Sequence, residues 1–252
     1  MASRLEPEAE ISPLPNPDGS VAFSYAGYKV IASANGPIEA VKRDEYAYEA
    51  QVDVVVRPPA GVGGTRERHL ESVLESALRQ LIPIRNFPRS LIQITLQVTG
   101  LPENEYTNAK VTQYNINLPI IPALLHAAIL ALLSGAIPLK GIATAALVIV
   151  AETRSDEKII VDPTQVQISR ARSVHVLAFT SSGDLLLAES EGQFSLAEWD
   201  EVADAARKVC FHSEDEMAVD TGGTSRPADM KQFIRTVMAS KVAADLHWRI
   251  PS

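Results

Sequence analysis

The tetrapeptide Gly63-Gly64-Thr65-Arg66 opens the stretch GGTRERHLESVLESALRQLIP. Two glycines, a hydroxyl and an arginine at the mouth of a helix are the residue types of a phosphate cradle. Glycine lets backbone N–H groups turn toward an anion, and a helix N-terminus carries partial positive charge. Arg66 and Arg68 could add charge-assisted contacts. The stretch lacks the Lys-Ser/Thr pair of a P-loop and the spacing of a dinucleotide loop. Gly61, Gly63 and Gly64 equally suit an ordinary strand-to-helix loop with Thr65 as its N-cap. The residue types alone leave both readings open.

A second pair of arginines, Arg170 and Arg172, brackets Ala171 in QVQISRARSV. At strand spacing the two share one face, opposite Ala171, where they could hold phosphates or pair with carboxylates. His126 lies in an apolar helix with nothing nearby in sequence to activate it. It reads as a hydrogen-bonded core histidine. Cys210 is the single cysteine. It reads as a buried hydrophobe and excludes an internal disulfide or a cysteine-built zinc site. The five histidines are scattered without an HExxH pair. No metal and no cofactor are expected. Asp162 before Pro163 reads as a strand-ending turn. Glu198, Asp200, Glu201 and Asp204 read as a helix N-terminal face favoured by the dipole.

These side chains belong to a chain of 252 residues, 46% hydrophobic, with a net charge of −8. That length supports one large domain or two small halves with a substantial core. The acidic balance argues against nucleic-acid binding through a broad basic face, so any such contact is local. The N-terminus is acidic and proline-rich, unlike a signal peptide. The strongest apolar run, INLPIIPALLHAAILALLSGAIPL, is broken by Pro119, Pro122 and His126. It reads as a buried core helix and not as a membrane span.

Periodicity supplies the elements that position the candidate residues. Residues 1–17 read as a mobile tail and 18–252 as one domain. SVAFSYAGYKVIASANG gives two strands around a turn at Ala26-Gly27, and YEAQVDVVVRPP a third. Leu70, Val73, Leu74, Ala77, Leu78 and Leu81 predict a helix over 66–81. SLIQITLQVTG is a strand, followed by a polar insertion loop at about 101–118. Ala123 to Ser134 is the apolar helix, ended by Gly135 and Pro138. TAALVIVAET, KIIVDPT, SVHVLAFT and DLLLAESEG are strands. FSLAEWDEVADAARKVCF is a helix with Ser195 and Glu198 as a capping box. TGGTSRPAD reads as a linker to a C-terminal helix at about 228–248. This mixture predicts an α+β fold with helices on mixed sheets.

In order and spacing, DGSVAF, YKVIASANGPIE, VDVVVRP, PRSLIQITLQV, the AIPL helix end and EGQFSLAEWDE resemble the RNase PH family. Within it the chain is most similar to ring subunits of the eukaryotic RNA exosome. The resemblance implies an RNase PH-like fold (ribosomal protein S5 domain 2-like). Active members of that family use phosphate to cleave RNA from its 3′ end. They place a Gly-Gly-Thr-Arg loop before the alanine-rich helix, arginines one turn apart on the preceding helix, and an acidic pair after a strand. In this chain those places carry NLPIIPALLHAA, then Ser72 and Ser76, then about Gln165 and Ala171. The Gly63–Arg66 tetrapeptide falls one strand too early and reads as a coincidental match.

The resemblance therefore implies no catalytic residues and a non-catalytic structural subunit of the exosome ring. Implied partners are other RNase PH-like subunits, paired as heterodimers in a six-membered ring. S1/KH cap proteins, a hydrolytic nuclease subunit and single-stranded RNA complete the set. Implied locations are nucleus and nucleolus, and also cytoplasm. Arg66, Arg68, Arg170 and Arg172 are the candidate RNA contacts. Two rivals stand beside this reading: an active homodimeric phosphate-dependent exoribonuclease, and a free-standing RNA-binding protein.

Overall fold

The structure is a computed structural model that describes residues 6–42, 45–102, 118–151, 158–211 and 229–249. Most of the expected insertion loop, most of the TGGTSRPAD linker and His212 lie outside the described residues. The elements are strands β1 Glu8–Ile11, β2 Gly19–Tyr25, β3 Tyr28–Glu39 and β4 Gln51–Arg57, helix α1 Thr65–Leu81 and strand β5 Ser90–Gly100. Helix α2 Ile121–Ser134 and strands β6 Ala143–Ala151 and β7 Ile159–Val161 follow. Helix α3 Gln165–Ser169, strands β8 Ala171–Thr180 and β9 Leu185–Gly192, and helices α4 Leu196–Cys210 and α5 Met230–Asp245 complete the chain. The chain divides into two compact units.

The first unit is built on a five-stranded sheet of order β1-β2-β3-β5-β4. All pairs are antiparallel except β4 with β5, which α1 joins as a crossover. A parallel pair needs such a connection, because a tight turn cannot reverse the chain twice. Strands β3, β4 and β5 alternate buried and half-exposed residues, as period-2 patterning requires. The β2–β3 hairpin turns at Ala26 and Gly27, both with positive φ. This is the two-residue turn whose twist matches the strands.

Residues 8–11 depart from the expected tail. They pair with β2 in register, Ile11 opposite Val21 and Glu8 opposite Ser24. The EAEI pattern already alternates polar and apolar residues, and β2 offers an open edge whose backbone groups need partners. Acidic, proline-rich composition obscured that alternation.

Helix α2 has no polar face. Residues from Ala123 to Leu132 are buried all round, which marks a core helix. Among the described residues no helix is long and apolar enough to cross a membrane. The helix ends differently from expectation. Ala136 adopts the left-handed conformation, and Ile137 N–H donates to Leu132 O at 3.0 Å. The turn that follows packs against Gly19, and it is Gly19 that the space requires. A Cβ on Gly19 would lie 2.2 Å from Ala131 O and 2.3 Å from Gly135 N. His126 is fully buried in this helix, edge-on to Phe23 and Tyr25 with ring centroids 6.0 and 6.2 Å away.

The second unit carries an antiparallel sheet of order β7-β6-β8-β9. Strand β6 is buried along almost its whole length, as its unbroken apolar run predicts. Val202, Ala206 and Cys210 of α4 pack on Val148, Val150 and Leu177. The Cys210 thiol donates to Thr144 O at 3.5 Å, and burial pushes its pKa up to about 11. It is a packed, unreactive thiol.

Two stability tests follow from the first unit. Gly19→Ala forces a methyl into backbone that cannot yield, so the cost should reach at least ~3 kcal/mol, the upper end of ordinary overpacking. Urea denaturation would read this as a lower midpoint; an unchanged midpoint would contradict the close approach. Burial also holds the His126 pKa down at about 3, against an ordinary 6.5. The unfolded chain takes up the proton below 6.5 while the folded chain does not. Stability should therefore fall as pH drops from 6.5 toward 3, by up to ~1.4 kcal/mol per pH unit. Unfolding curves between pH 7 and 4 should show a shallower decline in His126→Leu.

Candidate functional site

Strand β4 delivers the chain to an exposed loop in which Val62 is 97% exposed. Gly64 and not Thr65 is the N-cap of α1. Its N–H donates to the Glu67 carboxylate at 2.6 Å. The amide that a phosphate would use is already engaged by a side chain three residues on. Arg68 is largely exposed, and its guanidinium meets Glu71 at 3.3 Å. The other oxygen of Glu71 accepts from Val56 N–H at 2.9 Å, which ties Arg68 to the edge of β4. Arg66 is half-buried at the first turn of the same helix. The structure thus brings Arg66 and Arg68 to one loop and helix start.

Arg170 and Arg172 do not share a strand face. Residues 165–169 form α3, and Arg170 is its C-cap, with N–H donated to Gln167 O at 3.2 Å. The Gln167 side chain accepts from Thr164 N–H at 2.8 Å. Thr164-Gln-Val-Gln167 after Pro163 is a capping-box pattern, so this helix was readable in the sequence. Strand β8 starts only at Ala171. Arg170 is exposed, whereas Arg172 reaches back to the Glu198 carboxylate.

Glu198 forms the expected capping box with Ser195, and it is also buried, 8% exposed. It accepts from Ser195 N–H at 2.9 Å, Ser195 hydroxyl at 3.0 Å, Lys158 at 2.9 Å and Arg172. The Ser195 backbone bond, then Lys158 and Arg172, hold its carboxyl well below the usual range. No sequence signal linked Lys158 to Glu198, because the partners lie on different elements. Asp200, Glu201 and Asp204 are exposed, as expected. Nearby, His175 is fully buried, with Nδ1 2.8 Å from Ser190 Oγ and Nε2 2.9 Å from Ser173 Oγ. Burial lowers its pKa, and the Glu198 charge partly offsets that.

The places that the family resemblance assigns to phosphate and metal chemistry hold no charge. Ser72 and Ser76 are exposed one turn apart on α1. Leu118, Pro119 and Ile121 are buried at the entry to α2, and Pro119 and Pro122 offer no N–H. Gln165 begins α3 and Ala171 begins β8. Among the described residues no group of three or more His, Cys, Asp or Glu could hold a metal ion.

Residues 6–138 match the RNase PH 3′ exoribonuclease family, domain 1. The chain belongs to the RNase PH family. It is 36% identical over 194 residues to exosome complex component RRP46 of Saccharomyces cerevisiae, covering 75% of this chain and 82% of that protein. Its fold is similar to the crystal structure of rice Rrp46, with a TM-score of 0.71 and 20% identity over 92% of this chain and 94% of that one. It is also similar to the Archaeoglobus fulgidus exosome with RNA bound to the active site. There the TM-score is 0.61, with 12% identity over 81% and 84% of the two chains. The observed mixed sheets with helices are the RNase PH-like α+β fold that the sequence predicts.

The Glu198 cluster yields a test of its own. A depressed carboxyl pKa favours the fold above the ordinary glutamate range and loses that contribution as pH falls. Glu198→Gln should lower Tm by a few degrees at pH 7, and the gap to wild type should narrow on acidification. An equal gap at pH 7 and pH 3.5 would show that charge is not what Glu198 contributes.

Proposed function

We propose that the chain is a non-catalytic structural subunit of the RNA exosome core ring, supporting 3′-to-5′ RNA processing and decay. The observation that carries this reading is the joint loss of charge at three separate places. The helix positions that would hold phosphate carry Ser72 and Ser76. The entry to α2 is apolar and proline-interrupted. The carboxylate positions carry Gln165 and Ala171. Phosphorolysis needs cations around the attacking phosphate and an acid or a metal near the leaving oxygen. Serine cannot replace a guanidinium fork, and an apolar helix start presents no anion cradle.

Similarity to an exosome component supports assembly with other RNase PH-like subunits in a six-membered ring. S1/KH cap proteins and a hydrolytic nuclease subunit complete the proposed set, in nucleus, nucleolus and cytoplasm. Arg66, Arg68 and Arg170 are proposed as sequence-independent contacts to single-stranded RNA threaded through the ring. Arg172 is better read as structural, since its guanidinium is engaged by Glu198.

The deciding experiment is phosphorolysis by the purified chain, with labelled single-stranded RNA, phosphate and Mg²⁺. No nucleoside diphosphate release is expected, together with association with exosome ring proteins. Phosphate-dependent release that copurifies with the chain would overturn the reading in favour of an active enzyme.

A further inference from the structure

The β8–β9 hairpin turns through Thr180-Ser181-Ser182-Gly183-Asp184. Thr180 N–H donates to Asp184 O at 2.9 Å and Gly183 N–H to Thr180 O at 3.0 Å. Gly183 takes a φ of 99°, which closes the turn without strain. The side chains of Thr180 and Ser182 are occupied in holding it. Their hydroxyls lie 2.8 Å apart, Ser182 donates to Asp184 Oδ2 at 2.7 Å, and Asp184 N–H donates to Thr180 Oγ1 at 3.2 Å. Ser181 is exposed at the tip, and its hydroxyl takes no part in this network.

Asp184 stands three residues after Ser181 and is exposed. A hydroxyl followed at that spacing by a carboxylate is what a protein kinase with a basic substrate groove selects. Among the described residues two other serines have the same spacing, and the fold withdraws both. Ser72 and Glu75 lie inside α1, which would have to unwind to enter a kinase cleft. Ser195 caps α4, and its Glu198 is buried against Lys158 and Arg172. The hairpin tip loosens with the loss of only a few exposed bonds.

The tip also has a cation beside it. Arg207 of α4 donates from Nη2 to Gly183 O at 3.2 Å, and its guanidinium lies over the Phe179 ring, 5.8 Å from the centroid. Arg207 is exposed and touches the same turn that contains Ser181. A phosphate on serine carries about −1.5 to −2 charge, and a guanidinium fork is a strong partner for it.

We propose that Ser181 is a phosphorylation site for an acidophilic protein kinase, with Arg207 receiving the phosphate. In that step the bond from Ser181 Oγ to the γ-phosphorus of a nucleoside triphosphate forms as the bond from that phosphorus to its bridging oxygen breaks. Nucleoside diphosphate leaves, and the hydroxyl proton passes to a carboxylate of the kinase. The added phosphate ties the hairpin to the C-terminal half of α4, because Arg207 belongs to that helix.

The test incubates the full chain with casein kinase II and labelled ATP, and maps phosphate by tandem mass spectrometry. Ser213, outside the described residues, is followed by Glu214, Asp215 and Glu216, so phosphate is scored by site and not in total. Phosphate is expected on Ser181, and Ser181→Ala should lose it at unchanged Tm. Asp184→Asn should lower the rate at Ser181 about tenfold, while Asp184→Glu, which keeps the carboxylate, should retain most of it. In a Ser213→Ala background, the phosphorylated chain should melt a few degrees above the unmodified one, and Arg207→Ala should abolish that gain. Phosphate found only at other residues overturns the site, as does a rate at Ser181 that is the same with Asp, Glu or Asn at position 184. An unchanged Tm on phosphorylation, or a gain that survives Arg207→Ala, overturns the role of Arg207.

Discussion

A helix with no polar face has to be covered on every side, and α2 imposes that condition on the first unit. Its alanines and leucines leave no side for water, so the sheet must come within backbone distance. The contact between Gly19 and the Ala131–Gly135 turn is where that approach is closest. Gly19 carries no side chain there, so that a strand start and a helix end can touch. The histidine inside the same helix stays uncharged at neutral pH because burial strips away the water that would solvate its charge. Placing His126 there trades a soluble side chain for a shape that fits beside Phe23 and Tyr25.

Much of this was readable from residue types. The Ala26-Gly27 turn, the α1 stripe from Leu70 to Leu81 and the Ser195–Glu198 box each have a local cause, and each formed where the pattern placed it. Local patterns also existed for two elements that composition hid: the EAEI alternation of β1 and the Thr164–Gln167 box of α3. Reading Arg170 to Arg172 at strand spacing put the two arginines on one face, when Arg170 is a helix cap and the strand starts at Ala171. The candidate site reads in the sequence mainly as absences: serines, prolines and an alanine at the places where the family resemblance puts charge.

What could not be read was the use of charges in three dimensions. Glu198 had the right local signal for a cap. Its burial depends on Lys158 and Arg172, which come from other elements and leave no spacing to detect. The same holds for Glu71, whose carboxylate joins an arginine on its own helix to an amide of a neighbouring strand. Pairings across elements follow from packing, and packing is a property of the whole unit.

The Gly64–Glu67 contact explains why the loop that most looks like an anion site is a poor one. A tethered carboxylate three residues from the amide is present at an effective concentration on the order of millimolar or above. Dissolved phosphate at comparable concentration wins little against a competitor that never diffuses away. The loop is in this sense already liganded, by its own helix. Any lineage that recruited it for anions would first have to lose Glu67, and with it the bond that shapes the start of α1.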